Sequence, residues 1–404
     1  MRPITKINDV THRPTPQQYK RRRIAAACLA ALLVVVAISI GVTAQRTTGW
    51  STADLEKQLV AAEPESNTKS NEAVPRMPED EKPDIAPVAR TSHGQGTILD
   101  APAPGHSARI WVTTGGERRA AYVQVPKAAA DGEPTPLVMA FHGYEETPTS
   151  MAEYSGLGAA WGKDGGDGAI VVYPEGKGKA WEGAPYSKTS NGQDQQFVRD
   201  LLDRLSATYS VDATRIYAAG MSNGGGLGLK LACEMPHQFS AIASVAGAYY
   251  PGTWKGCATR QSDPAQPDSV RFVKAPTTPF LEIHGRKDET IEYRGGTRHG
   301  SPYLAAMRVA SLYAGRSGCF GAPRVVTVTS KVNRVEWPSC ANNSEVMHIS
   351  IADAAHTWPG EMKGSSGAGE VRRGEGGESN RTNDTITATN EVLAFFERHR
   401  GLTM

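Results

Sequence analysis

Short, unbroken apolar runs recurring along the chain constrain its fold more than any other feature. Leu137–Phe141 reads LVMAF and Ala169–Tyr173 reads AIVVY. Runs of this kind suit strands buried on both faces, as in a parallel sheet covered by helices on each side. Arg215–Ala219, Ala241–Val245, Pro279–Ile283, Val325–Val328 and Glu345–Ile351 continue the series. Helical segments fall between them. Gln195–Tyr209 places Phe197, Leu201, Leu202 and Leu205 on one face, and Gly224–Cys233, Tyr303–Tyr313 and Thr385–His399 are further helices. Arg109–Thr114 and Ala120–Pro126 read as paired edge strands ahead of the series. The alternation predicts an α/β sandwich with a mostly parallel central sheet.

This pattern occupies residues 94–404, and the chain before it has a different texture. Ile24–Ala44 (IAAACLAALLVVVAISIGVTA) carries no charge. As a helix it would span about 31 Å, close to the hydrocarbon core of a bilayer. Lys20, Arg21, Arg22 and Arg23 precede it, which keeps residues 1–23 cytoplasmic and sends the rest outward. The run is longer than the apolar region of most signal peptides, which favours an uncleaved anchor, while Val42-Thr43-Ala44 before Gln45 resembles a cleavage site. Both readings stay open. Residues 45–93 read as an extracytoplasmic linker: Ser51–Ala62 can form a short helix, and Glu63–Arg90 is rich in Pro, Glu, Asp and Ser without apolar periodicity. Lys363–Asn380 is Gly-rich and polar, the composition of a surface loop.

Lys and Arg total 44 against 42 for Asp and Glu, so no charge imbalance points to nucleic acid. Cys28 lies in the apolar run, leaving Cys233, Cys257, Cys319 and Cys340. An even number in an exported domain predicts disulfides. Of three pairings, Cys233–Cys257 and Cys319–Cys340 close the shortest loops. No CxxC spacing points to zinc, and no cofactor is implied.

Gly220-Met221-Ser222-Asn223-Gly224 matches G-x-S-x-G between an apolar strand and a helix, the context that motif requires. A sharp turn there lifts a serine hydroxyl above the sheet and aims a helix N-terminus at it. A hydroxyl is a weak nucleophile without a base. His356, in a loop beyond an apolar strand, is the candidate base. Asp288, in the loop after Pro279–Ile283, is the candidate orienting acid, with Glu289 and Glu292 as neighbouring rivals. The backbone N–H groups of Asn223 and of Tyr144, in Phe141-His142-Gly143-Tyr144, are candidate oxyanion donors. Trp181, Tyr293 and Trp358 are candidate walls of a substrate pocket.

Taken together, the His-Gly after an early strand, RIYAAGMSNGG, IHGRKDETIEY and AHTWPG resemble the polyhydroxybutyrate depolymerase and feruloyl esterase family of secreted esterases, over about Gly94 to His399. The resemblance implies an α/β-hydrolase fold, a Ser222, Asp288, His356 triad and both short-loop disulfides. It also implies cleavage of a polyester, feruloyl-type or envelope-associated ester. Two departures bear on substrate rather than chemistry: Tyr144 stands where the family often has cysteine, and Asp353-Ala354-Ala355 where it is often Gly-rich. The alternatives are an envelope acyltransferase using the same three residues, a peptidase, and an inactive binding protein on the same scaffold. The expected partners are an ester substrate and, if the N-terminal segment is retained, the membrane.

Overall fold

The computed structural model describes residues 101–161, 168–257, 278–341, 344–360 and 386–400. The proposed anchor or signal segment 24–44 with Cys28, the linker 45–93 and the loop 363–380 lie outside the described residues. The chain divides into two units, Met1–Ser51 and Thr52–Met404, and every described residue belongs to the second. Among the described residues no helix is long and apolar enough to cross a membrane.

Ten strands form one sheet in the order β1-β2-β4-β3-β5-β6-β7-β12-β11-β10. They are β1 (Ser107–Thr114), β2 (Glu117–Gln124), β3 (Thr135–Phe141), β4 (Ile170–Pro174), β5 (Val211–Met221), β6 (Ala241–Val245), β7 (Phe280–Gly285), β10 (Arg324–Thr329), β11 (Val332–Trp337) and β12 (Val346–Ile351). Two three-residue strands, β8 (Gly296–Arg298) and β9 (Ser301–Tyr303), make a separate hairpin. From β4 to β12 every neighbouring pair is parallel, and antiparallel hairpins close both flanks.

Helices cover both faces, as the unbroken apolar runs require. Leu137, Met139 and Phe141 of β3 share a core with α2 (Gln193–Thr208), α3 (Asn223–Glu234) and α4 (Ala306–Arg316). Val138 and Ala140 pack on the other side with α1 (Pro148–Ser155) and α5 (Ala388–Arg398). All seven residues of β3 are buried. In α5, Phe396 stacks on Tyr217 with ring centroids 4.7 Å apart. Both short-loop disulfides form. The Arg316 guanidinium donates to the carbonyls of Cys233 and Cys257, each at 3.2 Å, tying α4 to the first bridge. Such bonds are characteristic of oxidising compartments.

Several expectations are corrected. β1 is an edge strand, but β2 is interior, because it also pairs with β4. The expected helix from Tyr303 starts at Ala306, since Tyr303 closes β9 and the Leu304 amide bonds to the Tyr249 carbonyl. β11 is not legible in the sequence because Asn333, Arg334 and Glu336 look like loop residues; Glu336 is instead paired by Arg324 on the edge strand β10 and by Arg334 on its own strand. Also not legible is α1, an eight-residue helix that starts at Pro148 under a capping box made by Thr147 and Ser150.

Candidate active site

Parallel strands present their C-terminal ends on one side, and the predicted site residues follow three of them. Ser222 follows β5 at φ 53° and ψ −116°, and α3 starts at the next residue. A non-glycine residue held there stores strain of about 1–3 kcal/mol and persists only because its surroundings impose it. Three backbone hydrogen bonds do so. The Ser222 amide donates to Val245 O at 2.9 Å, and its carbonyl accepts from Gly226 N at 3.0 Å and Ala248 N at 2.9 Å. The flanking glycines are steric necessities. A Cβ on Gly220 would lie 2.2 Å from Gly224 O, and one on Gly224 would lie 2.1 Å from Phe141 O.

Asp288 sits in the turn after β7 and is 4 % exposed, while its rivals Glu289 and Glu292 are exposed. Its Oδ1 accepts from the amides of Thr290 (2.9 Å) and Ile291 (2.8 Å). Its Oδ2 lies 2.7 Å from Nδ1 of His356, in the loop after β12. Burial raises the Asp288 pKa, but hydrogen bonds to His284 and His356 and their charges outweigh it and hold the carboxyl well below the usual range. Since Oδ2 can only accept, Nδ1 carries a proton, and Nε2 has no hydrogen-bond partner among the described residues. Among the described residues Ser222 Oγ and His356 Nε2 share no direct hydrogen bond, so proton transfer between them needs a closing movement. Such contacts commonly tighten when substrate binds.

The loop after β3 is pinned on every side but one. Gly143 N–H donates to Glu146 Oε2 at 2.8 Å, and Glu145 N–H donates to Lys179 O at 2.9 Å. Fully buried His142 accepts the Gly176 amide at Nε2 (3.0 Å), so its Nδ1 holds the proton and donates to Gly143 O at 2.7 Å. Burial chiefly pushes the His142 pKa down to about 4, keeping it neutral. The amide of Tyr144 is left without a hydrogen bond among the described residues, as is that of Asn223 at the start of α3. The Asn223 side chain accepts the Trp181 amide at 2.7 Å and fastens α3 to the neighbouring loop.

The three aromatic pocket candidates are corrected. Trp181 is fully buried, bonds through its indole N–H to His142 O (2.8 Å) and packs edge-on to Phe141. Trp358 is 1 % exposed and bonds to Thr389 Oγ1 at 2.9 Å, while Tyr293 is 7 % exposed with its hydroxyl 2.9 Å from His348 Nε2. All three are framework, because large rings gain most from full burial when their polar atom finds a partner. The rings that do reach the surface near the loop are Tyr144, Tyr186 and His299. Tyr144 lies 4.0 Å from Tyr186, and His299 stands edge-on at 4.7 Å from Tyr186.

The sequence reading also missed a buried polar cluster of Glu282, His284, His348 and Tyr249 under the Asp288 turn. One signal was present: FLEIHG places two ionisable residues two apart, hence on one face, in an otherwise apolar strand.

A family of sequences described as "Putative esterase" matches residues 113–294, a span holding the Ser222 turn, the Tyr144 loop and Asp288. The chain is an esterase with the α/β-hydrolase fold. Members of this class are serine hydrolases acting on carboxylic esters, and this esterase is one. It is 27 % identical over 276 residues to "Putative esterase NocK" of Nocardia uniformis subsp. tsuyamanensis, covering 63 % of this chain and 74 % of that protein. It is 28 % identical over 199 residues to feruloyl esterase B of Piromyces equi (47 % of this chain, 34 % of that protein). With the poly(3-hydroxybutyrate) depolymerase of Ralstonia pickettii it shares 24 % over 253 residues (57 % of this chain, 49 % of that protein). The esterase thus spans half or less of the last two. Among solved structures, an acetyl xylan esterase from Aspergillus awamori aligns at TM-score 0.44 and 16 % identity, over 62 % of this chain and 94 % of that one.

Proposed function

We propose that the esterase hydrolyses its ester through an acyl-enzyme on Ser222, with His356 as base and Asp288 as its orienting acid. The observation that carries this reading is the 2.7 Å contact between His356 Nδ1 and Asp288 Oδ2, in loops that follow strands of the same parallel set as the Ser222 turn. Ser222 Oγ attacks the ester carbonyl carbon as its proton passes to His356 Nε2. The carbonyl oxygen, now an oxyanion, accepts from the Asn223 and Tyr144 amides, neither of which has another partner among the described residues. The intermediate collapses, the C–O bond breaks, and His356 returns the proton to the departing alkoxide. Water then attacks the acyl carbonyl with His356 again as base, releasing the acid and restoring Ser222.

The substrate proposed is a polyester, feruloyl-type or envelope-associated ester. The partly exposed rings of Tyr144 and Tyr186 at the oxyanion loop support a flat or aromatic group on one side of the ester. The charge-free run 24–44 behind Lys20–Arg23 supports export, with the run kept as an anchor or removed after Ala44. A panel of p-nitrophenyl and feruloyl esters tests the chemistry with full-length wild type and Ser222→Ala. Turnover and fluorophosphonate labelling are expected in wild type, and neither in the variant. Undiminished turnover by Ser222→Ala refutes the assignment. Product formed only with an added alcohol acceptor moves the reading to acyl transfer.

A further inference from the structure

Strand β7 carries two ionisable side chains that the proposed chemistry does not use. Glu282 is 0 % and His284 1 % exposed. Glu282 lies in a row across the sheet, paired with Ser244 on β6 and His348 on β12. Its Oε1 accepts from the Tyr249 hydroxyl at 3.0 Å and lies 2.9 Å from His284 Nδ1, and its Oε2 lies 2.6 Å from His348 Nδ1. The other nitrogen of His284, Nε2, lies 2.8 Å from the carbonyl oxygen of Ile291 and 3.3 Å from Asp288 Oδ2.

These partners decide the protonation of His284. A carboxylate and a backbone carbonyl can only accept, so Nδ1 and Nε2 must both carry a proton. The ring is then an imidazolium in a site closed to water, tolerable only between counter-charges. Glu282 stands on one side and Asp288 on the other. The same Asp288 Oδ2 that receives His356 Nδ1 therefore faces a second, permanent cation.

We propose that His284 is a positioning residue: a buried imidazolium, balanced by Glu282, that holds Asp288 in register with His356 and moderates the basicity of His356 through its charge. This rests on the reading of Asp288 and His356 as acid and base. Without the cation, the Asp288 charge would act on His356 alone, and His356 would hold its proton to higher pH. Burial by itself would lower the His284 pKa, but hydrogen bonds to Asp288 and Glu282, and their charges, outweigh it and push it up to about 10. Burial opposes ionisation of Glu282 as well, yet hydrogen bonds to His284 and His348 bring it down to about 2. The titratable groups facing the ring are Glu282 from β7, Asp288 from the turn, Tyr293 at 6.0 Å between ring centroids and, across Glu282, His348 from β12 and Tyr249 after β6. His356 stands on the far side of Asp288, while Lys287 and Glu289 on the same turn are exposed.

Two measurements on the full chain test this. In wild type selectively labelled with 15N-histidine, one ring should keep both nitrogens protonated at about pH 8.5, two units above the ordinary histidine pKa. His284→Gln should remove that signal, and Glu282→Gln should make it titrate at lower pH. A spectrum in which every ring has a bare nitrogen at that pH overturns the proposal, and it does so without reference to activity. In ester turnover, His284→Gln should move the acid limb of the kcat/KM profile up by about one unit, as expected for losing a charge that close. It should also lower kcat roughly tenfold to a hundredfold, with KM little changed. An acid limb that coincides with wild type, in a variant that merely unfolds at lower temperature, reduces His284 to a packing role. Loss of the Ser222 assignment would show separately, as turnover that survives Ser222→Ala.

Discussion

Replacing His142 asks what aims the Tyr144 amide. The ring is fully buried; it accepts from Gly176 N through Nε2 and donates to Gly143 O through Nδ1. His142→Asn keeps a donor near the Nδ1 position but has no acceptor where Nε2 was. The buried Gly176 amide then goes unpaired, at about 1–3 kcal/mol. The lost ring volume beside Trp181, 5.0 Å away between centroids, adds about 1 kcal/mol. His142→Gln makes the opposite choice: its carbonyl can still reach Gly176, but the hold on Gly143 O is gone. If the oxyanion loop is aimed by that contact, kcat falls by about a hundredfold in His142→Gln, within the range for losing one oxyanion donor, while KM stays nearly constant.

The pH dependence supplies an independent check. The folded-state pKa of His142 is depressed to about 4 by burial, so on acidification the unfolded chain takes up the proton first. The stability this histidine contributes is complete above about pH 6.5 and is lost as pH falls toward about 4. Between about pH 7 and about pH 4.5 the loss comes to about 2 kcal/mol. Because His142→Gln cannot titrate, the gap in urea-unfolding free energy between it and wild type should narrow by about that amount over the interval. A gap that stays constant would mean that the ring titrates in the folded protein as it does in the unfolded chain, and the assignment of a buried, neutral Nε2 acceptor would be wrong.

Three further outcomes are expected. Reducing Cys233–Cys257, or replacing both cysteines with serine, should cost about 3 kcal/mol and lower Tm by about 5–10 °C in calorimetry, since the bridge closes a 24-residue separation and anchors the Arg316 contacts. Gly224→Ala should reduce turnover at least about a hundredfold, because the new methyl meets backbone at 2.1 Å, which can yield only by shifting the Ser222 turn against the oxyanion loop. Phe396→Ala should destabilise by about 3–5 kcal/mol in chemical denaturation, with kcat per folded molecule unchanged, because the fully buried ring stacks on Tyr217 far from the reacting groups.

Much of the architecture was legible because strands buried on both faces need a nearly unbroken apolar composition. LVMAF, AIVVY and AIASV stand out for that reason, and each is a central strand. At the sheet's far edge, where Asn333, Arg334 and Glu336 pair with neighbours, composition no longer reports burial and β11 was invisible. In the site, Ser222, Asp288 and His356 could be named because each sits where local chain direction demands it, after a strand or in a motif. Trp181, Tyr293 and Trp358 were misread because an aromatic side chain has the same identity whether it lines a pocket or fills a core.

Local sequence thus determined which residues turn sharply, which segments are strands, and which hydroxyl, imidazole and carboxylate are the reactive candidates. Strand order decided that the imidazole of residue 356 meets the carboxylate of residue 288, since β12 lies between β11, the strand before it in the chain, and β7, a strand far earlier. It decided equally that Glu282, His284 and His348 enclose a charge. Those are through-space relations between groups far apart along the chain, and electrostatics depends on distance and dielectric, neither of which exists until the sheet has formed.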